Sequence, residues 1–240
     1  MRLTFLGTRG YIDERSPRHN RHSAVLVERN GERLMIDCGL DWQDELGRIA
    51  PQSLLLTHAH PDHTGGLKKG VPCPVFATAE TWKMLEDVPV TEQGTVNPGV
   101  PFELCGLKVT AVAVDHSLRA PAVGYRLEGG QSSIFYAPDV ANLPRPHQVL
   151  EGIDLFIGDG TAGTGSLLRV EEDRLCGHAP LATQLNWCRK AGVPRMLVTH
   201  CGRELVLEED KGTLDQINAL SAEFDIAVDI AYDGMQLILP

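Results

Sequence analysis

A short loop at residues 57–63 concentrates side chains that can bind a metal ion: His58, His60, Asp62 and His63. Imidazole and carboxylate groups suit zinc, manganese or iron. A catalytic ion keeps one coordination position open for water, so four ligands from one loop exceed what a single ion usually takes from one segment. The loop therefore predicts two ions that lie close together.

Two ions roughly 3.5–4 Å apart need a bridging carboxylate and further imidazoles from other parts of the chain. Three single residues meet this need, and each one directly follows an apolar run that is predicted to be a strand. They are His116, Asp139 and His200. Because all three occupy the same kind of position, we expect them to join the residues of the 57–63 loop.

The elements that must position these residues mix strands and helices along the whole chain, as in layered α/β proteins. Strands are predicted at residues 3–6, 23–29, 32–36, 53–57, 74–77, 107–114, 123–128, 131–137, 153–158 and 195–199. The dipeptide Asn30-Gly31 is typical of a tight hairpin turn. Helices are predicted at residues 78–85, 181–191 and 214–224, and residues 226–231 and 235–239 are predicted to end the chain as a hairpin.

The composition is that of a globular protein: 42% of the 240 residues are hydrophobic, and the formal net charge is −10. This charge disfavours broad binding to nucleic acid or to an anionic membrane surface. No apolar run approaches the roughly 18 residues of a membrane span, and residues 1–8 lack the apolar stretch of a secretion signal. We therefore expect a cytoplasmic protein with one domain over residues 1–240, and with six cysteines that are reduced, mostly buried thiols.

The order of these ligands resembles the metallo-β-lactamase fold superfamily of hydrolases, whose signature is His-x-His-x-Asp-His followed by a single His, a single Asp and a final His. The resemblance covers almost the entire chain. It implies a single-domain, four-layer αβ/βα sandwich with two divalent ions, Zn²⁺ or Mn²⁺, at one edge. The implied ligands are His58, His60 and His116 for one ion and Asp62, His63 and His200 for the other, with Asp139 bridging both.

A further histidine narrows the function within this superfamily. His178 lies 22 residues before His200, at the start of the predicted helix. Its placement is similar to that of the proton-donating histidine in the phosphodiesterase branch, which includes tRNase Z and the cyclic phosphodiesterase of phosphonate catabolism. The resemblance therefore implies a phosphodiesterase in which a metal-bridging hydroxide attacks phosphorus while His178 protonates the departing alkoxide.

Other residues receive auxiliary roles. Asp62, besides binding metal, is predicted to orient or deprotonate the nucleophile, and Asp37 to fix a ligand imidazole. The loop after the first strand is locally basic; it either clamps a phosphate or is an ordinary solvated surface. Its candidate residues are Arg15, Arg18, His19, Arg21 and His22.

Several alternatives stay open. Only 52 residues separate His63 from His116, which leaves little room for the substrate arm of a tRNA-processing enzyme, so a small or cyclic phosphodiester or a nucleic-acid end is the expected substrate. A lactone or thioester hydrolase is the main alternative, a tRNase Z-like endoribonuclease the second, and a noncatalytic binding subunit the last. Asp139 stands where secreted zinc β-lactamases carry cysteine, which argues against antibiotic hydrolysis. No membrane partner is expected, and a homodimer is compatible with the sequence.

Overall fold

The computed structural model describes residues 1–85, 88–207 and 211–240. The strands of the first half are β1 (Arg2–Gly7), β2 (Ala24–Arg29), β3 (Glu32–Ile36), β4 (Ser53–Leu55), β5 (Val75–Ala77), β6 (Gln93–Thr95), β7 (Phe102–Leu104) and β8 (Leu107–Val114). Those of the second half are β9 (Ala122–Gly129), β10 (Ser132–Tyr136), β11 (Leu155–Asp159), β12 (Leu167–Glu171), β13 (Arg174–His178), β14 (Arg195–Thr199), β15 (Ala227–Ile230) and β16 (Gln236–Ile238).

Short and long helices separate these strands. They are α1 (Leu46–Ile49), α2 (Pro61–Thr64), α3 (Ala79–Met84), α4 (Pro146–Val149), α5 (Leu181–Ala191), α6 (Arg203–Leu207) and α7 (Lys211–Phe224). Gly192 ends α5 in the left-handed conformation, as its sequence position predicts. Among the described residues, no helix is both long and apolar enough to span a membrane.

Two seven-stranded sheets form the centre of the molecule. The first has the order β16-β1-β2-β3-β4-β5-β6, and the second has the order β15-β14-β11-β10-β9-β8-β7. Strands β12 and β13 pair only with each other and form a separate two-stranded ribbon. Within the second sheet, β10, β11 and β14 run parallel to one another, so their carboxyl ends meet at the same edge.

The buried apolar residues form three layers, one between the two sheets and one between each sheet and its helices. Many strands are therefore apolar on both faces. Residues such as Phe5 and Tyr125 fill the space between the two sheets. Helices α1 and α3 cover the outer face of the first sheet, while α5, α6 and α7 cover the second. Strand β8 shows the pattern directly, because Val109 faces the other sheet and Val114 faces the helices. The predicted four-layer αβ/βα sandwich is confirmed.

The predicted hairpin at the end of the chain is wrong. Strand β15 pairs in parallel with β14 in the second sheet, whereas β16 pairs antiparallel with β1 in the first sheet. The turn at Asp233-Gly234 therefore carries the chain from one sheet to the other instead of joining two neighbouring strands. Both strands have an apolar sequence, but each finds a better partner in an existing sheet edge than in the other.

Candidate metal centre

Four strand ends and one short helix bring the candidate ligands together at one edge of the sandwich. The 57–63 loop follows β4 of the first sheet, and Pro61 occupies the first turn of α2, where its fixed φ favours the helix that presents Asp62 and His63. From the second sheet, β8, β10 and β14 lead into His116, Asp139 and His200. The structure thus brings all seven predicted ligands into one cluster, in which six residues are buried and His60 is half-buried.

One group of donors consists of three imidazoles. His58 Nε2 lies 2.9 Å from His60 Nδ1, and His116 Nε2 lies 3.3 Å from the same His60 atom. The ligand atoms of these three residues lie within 4.8 Å of one another. Asp139 lies beside the group, because its Oδ2 is 3.8 Å from His58 Nε2.

A second group shares Asp139 with the first. His63 Nε2 and His200 Nε2 face each other at 3.2 Å, and Asp62 Oδ2 is 3.0 Å from His200 Nε2. Asp139 Oδ2 lies 2.7 Å from His63 Nε2 and 3.4 Å from His200 Nε2. Asp139 is therefore the carboxylate that stands between the two groups.

The donor set fits a divalent cation. Asp62 Oδ1 is a buried side-chain oxygen without a hydrogen bond, although such atoms in proteins are normally paired. Several ring nitrogens converge on the same space while their opposite nitrogens are held by the protein. Imidazole and carboxylate around a buried point are typical of a metal centre, usually one of zinc.

On four of the five candidate ligand rings, the opposite nitrogen has a protein partner. His63 Nδ1 donates to Asp37 Oδ2 at 2.8 Å, and His200 Nδ1 lies 2.7 Å from Thr161 Oγ1. Asp37 also accepts the backbone N–H and the hydroxyl of Thr57. A proton on Nδ1 leaves Nε2 as a lone pair directed at the cluster.

The first group is oriented in the same manner. His58 Nδ1 lies 3.0 Å from Thr57 Oγ1, and His116 Nδ1 donates to the Gly177 carbonyl at 3.1 Å. Burial lowers the pKa of His116 to about 4. The neutral imidazole that results is the form that binds a metal ion.

Two residues at the site have left-handed backbone conformations. Asp37 has a φ of 64° and His200 has a φ of 51°. This conformation costs a residue with a Cβ roughly 1–2 kcal/mol.

His178 lies beside the second group and is the last residue of β13, not the start of the following helix. Its Nδ1 is 2.7 Å from Asp159 Oδ2 and 3.4 Å from Asp139 Oδ1. Burial alone would lower the pKa of His178, but the carboxylate of Asp159 raises it to about 9. The ring packs against His116 with a centroid distance of 5.0 Å.

Asp159 is fixed by a buried amide. Gln184 on α5 is fully buried, and its Oε1 accepts from the Asp159 N–H at 2.9 Å. Its Nε2 donates to the carbonyls of Asp159 and Ala179 at 2.7 Å and 3.0 Å. This amide ties the end of β11 to the residue that follows His178.

Three of these partners, Asp159, Thr161 and Gln184, were not predicted from the sequence. Asp159 carried the signal that identified Asp139, since it also ends a buried strand. Thr161 and Gln184 have residue types that are common everywhere, so only the folded structure distinguishes them.

The two histidines of the basic loop are buried. His19 has no exposed surface, and its Nδ1 lies 2.8 Å from Thr8 Oγ1. His22 Nδ1 lies 2.8 Å from Asp41 Oδ2, and its Nε2 lies 3.1 Å from an Nη atom of Arg9. These contacts hold the loop against the body of the protein.

The arginines of the same loop lie at its surface. Arg18 packs on the ring of Tyr232 and Arg21 packs on Trp42, with guanidinium-to-centroid distances of 5.1 Å and 4.8 Å. An Nη atom of Arg15 lies 3.2 Å from Asp41 Oδ1, and the same carboxylate contacts His22.

All six cysteines are free thiols, and five of them are buried. Cys201, directly after His200, is fully buried. The prediction of mostly buried thiols is confirmed.

Comparisons with known proteins agree with this architecture. The family model described as the beta-lactamase superfamily domain matches residues 32–201. A ribonuclease Z from Methanopyrus kandleri is 33% identical over 143 residues, which cover 52% of this chain and 50% of that protein. A ribonuclease Z from Methanosarcina acetivorans is 29% identical over 53% of this chain and 48% of that protein. The chain thus spans about half the length of these curated relatives.

Two solved structures superimpose along the whole chain. The Zn²⁺-bound PqqB of Methylobacterium extorquens has a TM-score of 0.75 and 19% identity, with 100% of each chain covered. A diphosphatase from the PhnP family has a TM-score of 0.73 and 22% identity, with coverage of 99% of this chain and 97% of that one. At these identities the likeness shows the fold alone.

Proposed function

Because the chain belongs to the family described as the beta-lactamase superfamily domain, we propose that it is a metal-dependent phosphodiesterase acting on a small or cyclic phosphodiester or a nucleic-acid end. The family model matches residues 32–201, which is most of the chain, and the proposal concerns the reaction. Support comes from the ligand groups, from His178, and from relatives named ribonuclease Z and diphosphatase.

We infer that two divalent ions, Zn²⁺ or Mn²⁺, bind to this chain. His58, His60 and His116 would hold one ion, Asp62, His63 and His200 the other, and Asp139 would bridge them. When bound, the two ions lower the pKa of a bridging water and stabilise negative charge on phosphoryl oxygens. Asp62, whose Oδ1 has no hydrogen bond, would also orient the attacking oxygen.

The observation that carries the proposal is the pair formed by His178 and Asp159. Their contact at 2.7 Å fixes the Nδ1 side of the ring and favours the protonated form. The other side of the ring is left to donate a proton at Nε2 to a departing alkoxide oxygen. Phosphodiester cleavage needs such a donor because an alkoxide is a poor leaving group, whereas opening a thioester does not.

The test compares initial rates for a phosphodiester, a lactone and a thioester, with protein reconstituted with zinc or manganese. We expect the phosphodiester to have the highest kcat/KM. Asp139→Asn should lose metal and this activity together, while Asp229→Asn, which changes an exposed carboxylate paired with Arg195, should lose neither. A higher kcat/KM for the lactone or thioester would reject the phosphodiesterase proposal, and fewer than one bound ion per chain would favour a noncatalytic subunit.

A precursor tRNA, the substrate of a tRNase Z-like endoribonuclease, is the second candidate, because two of the matched relatives are named ribonuclease Z. Against a folded tRNA stands the net charge of −10, which repels an extended phosphate backbone. Cleavage of a precursor tRNA with a higher kcat/KM than any small diester would favour this candidate.

We also propose that residues 1–240 form one hydrolase domain that functions in the cytoplasm, where free thiols are kept reduced. Sedimentation analysis would distinguish a monomer from a homodimer.

A further inference from the structure

A cavity of about 370 Å³ opens directly beside the metal centre. His60, His116 and His178 form its inner wall. Its outer walls are the segment that follows His116 and the ribbon formed by β12 and β13. A group that leaves the reacting phosphorus on the His178 side would enter this space.

The ribbon places an arginine on the same face as the proposed acid. His178 pairs with Leu167, and Arg169 pairs with Cys176, so Arg169 lies two residues along the strand from the residue opposite His178. Residues at such diagonal positions share a face and lie about 7–8 Å apart at their Cα atoms, within reach of a long side chain. Arg169 therefore lines the cavity that His178 enters.

More positively than negatively charged side chains line this cavity. Arg119, three residues after His116, lines the same cavity as Arg169, and Glu171 lines it with them. Arg169 Nε lies 2.5 Å from Glu171 Oε1, which holds the guanidinium in place. Two arginines and one glutamate leave a net positive charge in a protein whose total charge is −10.

We propose that this cavity is the leaving-group subsite and that Arg119 and Arg169 select a leaving group with its own anionic substituent, a carboxylate or a phosphate. The inference rests on the proposed function, because His178 would protonate the leaving oxygen from the same cavity. In that step water loses a proton to solvent as its oxygen bonds to phosphorus, the bond from phosphorus to the leaving oxygen breaks, and the leaving oxygen takes its proton from His178. His178 then regains a proton from solvent. The planar guanidinium matches carboxylate and phosphate geometry through paired hydrogen bonds.

The experiment uses two phosphodiesters of nearly the same shape, methyl 4-carboxyphenyl phosphate and methyl 4-carbamoylphenyl phosphate. They differ in the charge of the leaving group, and their different intrinsic reactivity cancels when the kcat/KM ratio of a variant is divided by that of the wild type. The variants are Arg119→Gln, Arg169→Gln and Glu171→Gln. Arg48→Gln is the matched control, because Arg48 is exposed, lies 2.7 Å from Glu45 and is outside the cavity.

We expect each cavity arginine variant to lower the ratio of carboxyl to carbamoyl kcat/KM by about tenfold, the size of one charge-assisted hydrogen bond. Glu171→Gln should raise the ratio, because it removes the competing carboxylate. Arg48→Gln should leave it unchanged. Calorimetric binding of the released phenols, 4-hydroxybenzoate and 4-hydroxybenzamide, should show the same order without any turnover.

The outcomes separate the two proposals. If the wild type cleaves both diesters and the ratio is the same in every variant, the selectivity of the cavity is overturned while the phosphodiesterase stands. If neither diester is cleaved but 4-hydroxybenzoate binds in a manner that depends on Arg119 and Arg169, the reaction is rejected and the anion selectivity of the cavity stands. If neither cleavage nor selective binding occurs, both proposals fall.

Discussion

At the scale of single residues, four of the five candidate ligand imidazoles are held by outer partners of different kinds. His63 is held by a carboxylate, His58 and His200 by threonine hydroxyls, and His116 by a backbone carbonyl. The carboxylate of Asp37 is the strongest acceptor among them, because it is charged and fully buried. The ion bound through His63 should therefore depend most on its outer partner.

Asp37→Asn should weaken the binding of one ion by about 10–100-fold, because the amide removes the charge that polarises the His63 ring. Competition with a chromogenic chelator measures this affinity. Asp41→Asn is the control, because Asp41 is a largely buried carboxylate that contacts Arg9 and His22 instead of a ligand. Equal metal affinities in the two variants would contradict this role for Asp37.

The seven candidate ligands could be predicted from the sequence because their residue types are rare and their spacing is specific. A histidine cluster in a loop after a strand has few uses other than metal binding. The threonines and the glutamine that orient the site are common residues, and their roles depend on contacts between segments distant in sequence, such as Thr161 with His200. No local pattern encodes such a contact.

At the scale of elements, the ribbon of β12 and β13 is the part of the site that the sequence did not predict. Its turn is Glu172-Asp173, and both residues have a positive φ. The usual signal for such a turn is Asn-Gly, which correctly marked the hairpin at residues 30–31. Apolar and polar residues also alternate poorly along the ribbon, because the ribbon is exposed on both faces along much of its length.

Gly177 joins this ribbon to the metal centre. It has a φ of 100°, and a Cβ there would lie 2.1 Å from the Leu167 carbonyl oxygen. Its N–H donates to the His116 carbonyl at 2.7 Å, and its own carbonyl accepts from the His116 ring. The ribbon and this ligand are therefore one structural unit.

Gly177→Ala should lower both the melting temperature and the catalytic rate, because the ribbon or His116 must move to admit the methyl group. Gly31→Ala is the matched control: Gly31 has a φ of 84° with nothing within 4 Å of its Cβ position. That variant should show only the backbone cost, about 1–2 kcal/mol, with normal activity. Thermal unfolding and kcat/KM measure the two effects, and an equal loss of stability without loss of activity would contradict the coupling.

At the scale of the whole molecule, the two ends of the chain jointly support the metal centre. Asp233, in the turn between the sheets, accepts hydrogen bonds from the hydroxyl of Thr8 and from the backbone of residues 20 and 21. The carbonyl of Thr8 in turn accepts from the N–H of Cys201, next to the ligand His200. The hairpin prediction failed at this turn because pairing with distant sheet edges overrides a local pattern.

This arrangement predicts a pH dependence of stability through His19. Burial first, and the charge of Arg18 second, lower the pKa of His19 to about 4 in the folded protein, against about 6.5 in the unfolded chain. The unfolded chain therefore binds more protons in this window, and the contribution of neutral His19 is complete above pH 6.5 and is lost progressively towards pH 4.

Chemical unfolding of the wild type and of His19→Asn between pH 4 and pH 7 measures the effect. Asparagine can still donate to Thr8, but it does not titrate, so the free energy of unfolding should fall less steeply with acid in the variant. Identical slopes would mean that His19 does not contribute to the acid sensitivity.

His178 is proposed to donate a proton to the leaving group of a phosphodiester. The most direct measurement compares the wild type with His178→Gln on two diesters, one that releases an alkoxide and one that releases 4-nitrophenolate, with bound metal quantified in both proteins. We predict a loss of about 10²-fold or more for the alkyl diester, a much smaller loss for the nitrophenyl diester, and unchanged metal content. Equal losses for the two diesters, or no loss for either, would show that His178 is not the proton donor to the leaving group.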